Sequence, residues 1–139
     1  MESSTAARGR DVVGIGLMAL AALHVALGLL AAVAPGTFFD EVGPFGVRND
    51  HYVRDAVAAF QGSLGVAMAI AVVRREWRVG VLGYAVLQYA FHSVNHLVDV
   101  GEAEPERYGP LDLAGVAGGT VLIAWLLARA VRDAREAAP

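Results

Sequence analysis

The chain contains no cysteine and no lysine. The first absence excludes disulfides, thiolate metal sites and cysteine nucleophiles. The second makes every one of the eleven basic residues an arginine. Together with the abundance of Ala, Gly and Val, this suggests a GC-rich bacterial genome, an inference about codons that carries no mechanism. Charge of either sign is sparse: 18% of the 139 residues are charged and 56% are hydrophobic. With a positive mean hydropathy, that balance takes the chain out of the ordinary soluble class. The length leaves room for one domain.

What the sequence has instead is long apolar runs, from Val12 to Val33, Val53 to Val73, Val79 to Val100 and Leu111 to Ala130. Each approaches the roughly 20 residues that carry an α-helix across a hydrocarbon core of about 30 Å. The expectation is an all-α membrane protein forming one domain over residues 1–139. Its helices are expected at about 12–33, 52–73, 78–100 and 111–131, preceded by a polar tail over residues 1–10. A cleavable signal peptide is the alternative for the first run, whose end reads Ala32-Val-Ala-Pro35, but the run is long for an h-region.

The charges orient these spans. Arg8 and Arg10 precede the first run, Arg74, Arg75 and Arg78 join the second to the third, and Arg129, Arg132 and Arg135 follow the fourth. Under the positive-inside rule these ends are cytoplasmic, so both termini lie inside and the two longer loops face outward. Only Arg48, Arg54 and Arg107 fall on the outer side, which is otherwise acidic from Asp40 to Asp112. The location expected is therefore a bacterial cytoplasmic (inner) membrane. The partner expected is the lipid bilayer, with a second copy or another membrane protein as a further possibility and no nucleic acid.

The joint Arg74-Arg-Glu-Trp-Arg78 is short and makes the second and third helices antiparallel neighbours. The first outer loop opens on Pro35-Gly36 and carries Phe38, Phe39 and Phe45, which suit an interfacial segment. Asn49 or Asp50 suits the N-cap of the second helix. Gly109-Pro110 reads as a helix start. Small residues on the runs, Gly62 and Gly65, Gly80 and Gly83, and Gly115, Gly118 and Gly119, usually mean close helix approach in membranes. With no internal repeat and short connections, these features predict an antiparallel up-down-up-down four-transmembrane-helix bundle.

The third run carries the chemistry. At about 100° per residue, Gln88, His92, Asn95, His96 and Asp99 fall within roughly a third of the helix circumference, and Leu87, Tyr89, Phe91, Val94 and Leu97 cover the rest. Such a stripe must face protein or water. His51 and Asp55 lie one turn apart at the outer start of the second helix, and Asp112 begins the fourth on the same side. By helical rise, His92 sits roughly 10 Å deeper than Asp99, and Gln61, Gln88 and His24 about 15 Å below their helix ends.

All four histidines thus belong to the outer half of the bundle or its rim. A His-x-x-x-His pair presents two imidazoles on one face, and a carboxylate from a neighbouring helix would complete a metal site. The expected ligands are His51, Asp55, His92 and His96, with Asp99 as a further ligand or orienting group. Nitrogen and oxygen donors favour Zn, Fe or Mn over Cu(I), and the function expected of such a centre, Zn or Fe, is redox or hydrolytic. A b-type haem held by His92 with His24 or His51 is a variant of this reading.

Blander readings stand beside it. His51, His96 and Asp99 would be interfacial residues in water. Asp55 would pair with an arginine or cap its helix. His24 would be a buried histidine bonded to Gln61 or Gln88, and those amides would be interhelical glue. The protein is then a non-enzymatic bundle binding a lipid-like molecule, or an accessory subunit. A proton or ion path through His92, Gln88, Gln61 and His24 lacks a continuation, because the residues below are apolar or small.

The segment Asn49-Asp-His51-Tyr-Val-Arg54-Asp55, followed by a histidine-bearing end to the third helix, resembles a group of small, uncharacterised four-span membrane proteins common in actinobacteria. The resemblance covers nearly the whole chain and matches the group's pattern at Asn49, Asp50, His51, Asp55, His92 and His96. The layout is also similar to DoxX-like membrane proteins. Neither resemblance implies an established activity.

Overall fold

The computed structural model describes residues 11–138, so the expected polar tail with Arg8 and Arg10 lies outside the described residues. The described chain is helical: α1 (Val12–Val33), α2 (Pro35–Glu41), α3 (Asp50–Val73), α4 (Arg78–Val98) and α5 (Tyr108–Glu136). Three of these, α1, α3 and α5, are long and apolar enough to cross a membrane. The third run does form a 21-residue helix, but its polar stripe keeps α4 out of that group.

The boundaries follow local chemistry. Asp11 caps α1, its Oδ1 accepting from the Gly14 amide at 2.9 Å, and α1 stops at Ala34 because Pro35 disfavours helical backbone before it. Pro35 then serves as the first residue of α2, where its missing N–H costs nothing. The expected interfacial loop is therefore partly a seven-residue helix, with Phe38 buried against Ala31, Val53 and Ala58. Asn49 is the cap of α3, its side chain accepting from the Tyr52 amide at 3.0 Å. A π-helical stretch, Val53–Val57, widens the second turn of α3. A 3₁₀ turn, Arg75–Trp77, makes the short joint to α4. The last helix starts two residues before Pro110 and runs on to Glu136, past the expected end near residue 131.

Hydrogen bonds fix how the helices run. At one end the Arg78 guanidinium makes paired bonds to Asp11, 2.8 and 2.7 Å, and also donates to the Ala71 and Val72 carbonyls, each at 3.1 Å. The starts of α1 and α4 thus meet the end of α3. At the other end Gly109, at the start of α5, packs on the Val100 backbone. Ser93 of α4 bonds Thr120 of α5 at 3.1 Å. The two outer loops are tied by a single bridge, Phe45 to Ala103, with the Glu104 amide donating to the Pro44 carbonyl at 3.1 Å.

The inner half holds the main core, in which Leu17, Leu20, Leu64, Met68, Leu82 and Ile123 are buried. Helices α1 and α3 cross most closely. A methyl group at Gly28 would lie 2.7 Å from the Gly62 backbone nitrogen, and one at Gly65 would lie 2.8 Å from the Val25 nitrogen. Gly119 abuts the Tyr89 ring. The expected close approach at Gly80, Gly83, Gly115 and Gly118 is not present, since a methyl there meets nothing within 4 Å. Outward faces stay apolar, with Ile15, Leu29, Leu87, Phe91 and Val121 more than half exposed. In water such a surface would be an aggregation liability; in lipid it is the required one.

Candidate functional site

The half of the molecule at the Phe45–Ala103 bridge opens around a cavity of about 790 Å³. Helix α4 supplies its polar wall: Gln88, His92, Asn95, His96 and Asp99 all line it, as the helical stripe requires. Asp112 and Val116 of α5 continue that wall, while α2 and α3 contribute Phe38, Phe39, Val53, Val57 and Phe60 opposite. The volume and the mixture of a mostly apolar surface with a few convergent polar groups are those of small-molecule sites.

Aromatic packing fixes the histidine pair. The His92 and His96 rings stand 4.6 Å apart, edge to face, and the Phe45 ring packs on His96 at 4.9 Å. This contact joins the first outer loop to α4 and roofs the cavity. Below it the Oε1 atom of Gln88 is buried and accepts no hydrogen bond from any described residue. A buried acceptor without a donor costs about 1–3 kcal/mol, and the Gln88 side chain that carries it lines the cavity.

His51 and Asp55 are not brought to this cavity. Their side chains are 86% and 80% exposed and face each other at 3.9 Å on the outer surface. The cavity is lined from the α3 cap by Asn49 and from α3 by Tyr52, Val53, Ala56, Val57, Phe60 and Gln61. His51 and Asp55 precede Tyr52 and Ala56 by one residue, and a step of about 100° turns them off that face. The expected four-ligand centre is therefore not assembled. Among the described residues no three His, Asp or Glu side chains form a group able to hold a metal ion.

His24 is fully buried, and both of its ring nitrogens are engaged. Nδ1 bonds the Gln61 carbonyl oxygen, and Nε2 bonds the Tyr89 hydroxyl at 3.0 Å, with the two rings edge to face. No ring nitrogen is left for iron, and His51 lies outside the cavity, so neither expected haem pairing with His92 fits these residues. Tyr89, assigned by its position to the outer covering of the helix, instead reaches back across the interface. It sits one residue beyond Gln88, at the edge of the stripe, and its length takes the hydroxyl to α1. Ser93 and Thr120 were likewise not singled out; each also back-bonds a carbonyl four residues earlier, at 2.8 and 2.9 Å.

The lining includes two carboxylates, Asp99 and Asp112, and no arginine. Arg48 on the neighbouring loop is already paired with Asp50, at 2.6 and 2.9 Å. The site thus offers hydrogen-bonding groups and two carboxylates among mostly apolar side chains. Comparison with family models, curated proteins and solved structures finds no match to the chain.

Proposed function

We propose that the protein is a four-span antiparallel bundle of a bacterial cytoplasmic membrane that binds a lipid-like small molecule in its outward-facing cavity. The observation that carries this reading is the cavity's lining, in which the polar α4 stripe including Gln88 faces a mainly apolar α2–α3 side whose polar members are Asn49, Tyr52 and Gln61. An amphiphile satisfies both: its polar group takes the stripe and its apolar part takes the aromatic side. Inward of His24 the core residues Leu17, Leu20, Leu64, Met68 and Leu82 are buried and the next buried polar side chain among the described residues is Arg78 at the far end, which supports a binding site over an ion path. Arginines at the joint before α4 and at the end of α5 support a cytoplasmic placement of those ends.

The test is retention of monooleoylglycerol by detergent-purified protein, followed by native mass spectrometry. Wild type is expected to keep a stoichiometric adduct. Gln88→Leu combined with Asn95→Leu is expected to lose about tenfold in affinity, a difference of roughly 1.4 kcal/mol for the lost hydrogen bonds. Equal retention by wild type and the double variant would defeat the proposal.

A second reading rests on the adjacent His92 and His96 rings. Two imidazoles at i, i+4 are donors suited to Zn or Fe; Asp99 and Asp112 line the same cavity without forming a ligand group with them in this arrangement. Metal analysis of protein purified under metal-replete conditions, with a His92→Ala/His96→Ala control, decides it. No metal in excess of the control would dismiss this reading.

A further inference from the structure

Phe60, which lines the cavity, also borders a second space, an open groove of about 340 Å³ between α3 and α4. Leu64 and Ala67 form one bank of this groove, and Gly80, Val81 and Tyr84 form the other. Phe60 lies roughly 20 Å along α3 from Val73, and Ala67 about 9 Å, by helical rise. The groove therefore runs inward from the cavity floor through the inner half of the membrane.

Its chemistry is that of hydrocarbon. The one hydroxyl on the α3 bank, that of Ser63, donates to the Phe60 carbonyl of its own helix at 3.1 Å. The far end is open, because a methyl group at Gly80 meets no atom within 4 Å. Tyr84 at the lip is 56% exposed, on the surface that faces lipid in a four-span bundle.

Resting on the cavity reading above, we propose that cavity and groove are one site for a long-chain amphiphile drawn from the bilayer. Its head lies against the α4 stripe, and its hydrocarbon chain passes Phe60 and lies between α3 and α4. Phe60 is the one residue that borders both spaces, so a chain that fills both has to pass this ring, and the open side of the groove lets that chain reach the site from the membrane. The mouth selects the head. With Asp99 and Asp112 on the lining and no arginine there, a hydroxyl or amine is accepted and a phosphate ester is repelled.

The experiment uses the full chain in phosphatidylcholine nanodiscs and two photoreactive monooleoylglycerols, one with a diazirine at mid-chain and one with it beside the glycerol. The mid-chain probe is expected to label Ala67 and Val81 at least fivefold more than the lipid-facing Val121 and Leu122. Ala67→Trp, which fills the groove, and Gly80→Leu, placed where the backbone has room, should each abolish that preference. Glycerol-side labelling of the cavity together with mid-chain labelling that merely follows lipid exposure would overturn the groove assignment and leave the cavity reading standing. Absence of specific labelling by both probes would overturn the two together. Excess oleylamine or monooleoylglycerol should compete at least tenfold better than oleoyl lysophosphatidic acid; equal competition would refute the head selection.

Discussion

The inner clamp between Asp11 and Arg78 gives the sharpest quantitative prediction. Asp11 caps α1, while Arg78 is buried and spends its remaining N–H groups on the last carbonyls of α3, which have no partner in their own helix. The bonds from Arg78 hold the Asp11 carboxyl down at about 2, from its ordinary 3.8. A difference of that size corresponds to roughly 2.4 kcal/mol of stabilisation. The Asp11 side chain is 39% exposed, so solvent screening reduces this to about 1–1.5 kcal/mol. Asp11→Asn removes the charge and keeps an equally good N-cap, which isolates the clamp from the cap. It should cost about 1–1.5 kcal/mol at neutral pH. Because the folded-state value is depressed, the stabilisation is complete above the ordinary value and is lost as pH falls from about 4 toward 2. Reversible unfolding of detergent-solubilised protein in an SDS titration, at pH 7 and again near pH 2.5, measures both parts. A variant indistinguishable from wild type at neutral pH, or a gap that does not narrow on acidification, would refute the reasoning.

Replacing Gly28 by Leu should destabilise strongly, by about 2–3 kcal/mol or more, because its first carbon already meets the Gly62 backbone; Gly118→Leu, with open space, should stay within about 0.5 kcal/mol in the same titration. Tyr89→Phe should cost about 0.6 kcal/mol, the usual worth of one interhelical hydrogen bond in a membrane. His24→Leu should cost more, about 1–3 kcal/mol, because it leaves both Gln61 and Tyr89 unsatisfied at once; equal losses for the two would contradict the paired arrangement. The cysteine-free chain also permits a topology test. Glu102→Cys should react with a membrane-impermeant maleimide applied outside cells, and Arg75→Cys only after the inner face is opened; the same sidedness for both would show that α4 does not cross.

Much of the helical framework was legible because apolar runs of spanning length are a one-dimensional signal. The starts of α1, α3 and α4 agree closely with the ends of those runs, and Asn49 announces its cap. Helix α2 was not legible: seven residues opening Pro-Gly read as a loop, and only the burial of Phe38 against Ala31 and Val53 makes them a helix. The clamp was missed for a different reason. Asp11 and Arg78 lie far apart in sequence, and an arginine in a short inner joint is already accounted for by topology. His51 and Asp55 show the limit of periodicity most clearly. Their spacing of four says that they share a face of α3 but not which face, and Tyr52 and Ala56, one residue on, hold the cavity side.

The same limit bears on α4, whose composition keeps it out of the group of candidate spans while its polar stripe lines the cavity. Gln88, His92, Asn95 and His96 dilute its apolar character, so by composition it falls short of α1, α3 and α5. Taken face by face it does not fall short. Leu87, Phe91, Val94 and Leu97 are exposed on its outer side, while every member of the polar stripe lines the cavity. A polar group facing lipid costs several kcal/mol, so a helix of this kind crosses a membrane only where neighbours cover its stripe. Here the cover is supplied by α2 and α3 across the cavity and by α5 at its edge, and it stands off from the stripe instead of packing against it. On the four-span reading proposed above, the space between the stripe and its cover is where the amphiphile lies, and the need to shield the stripe from lipid accounts for that cover.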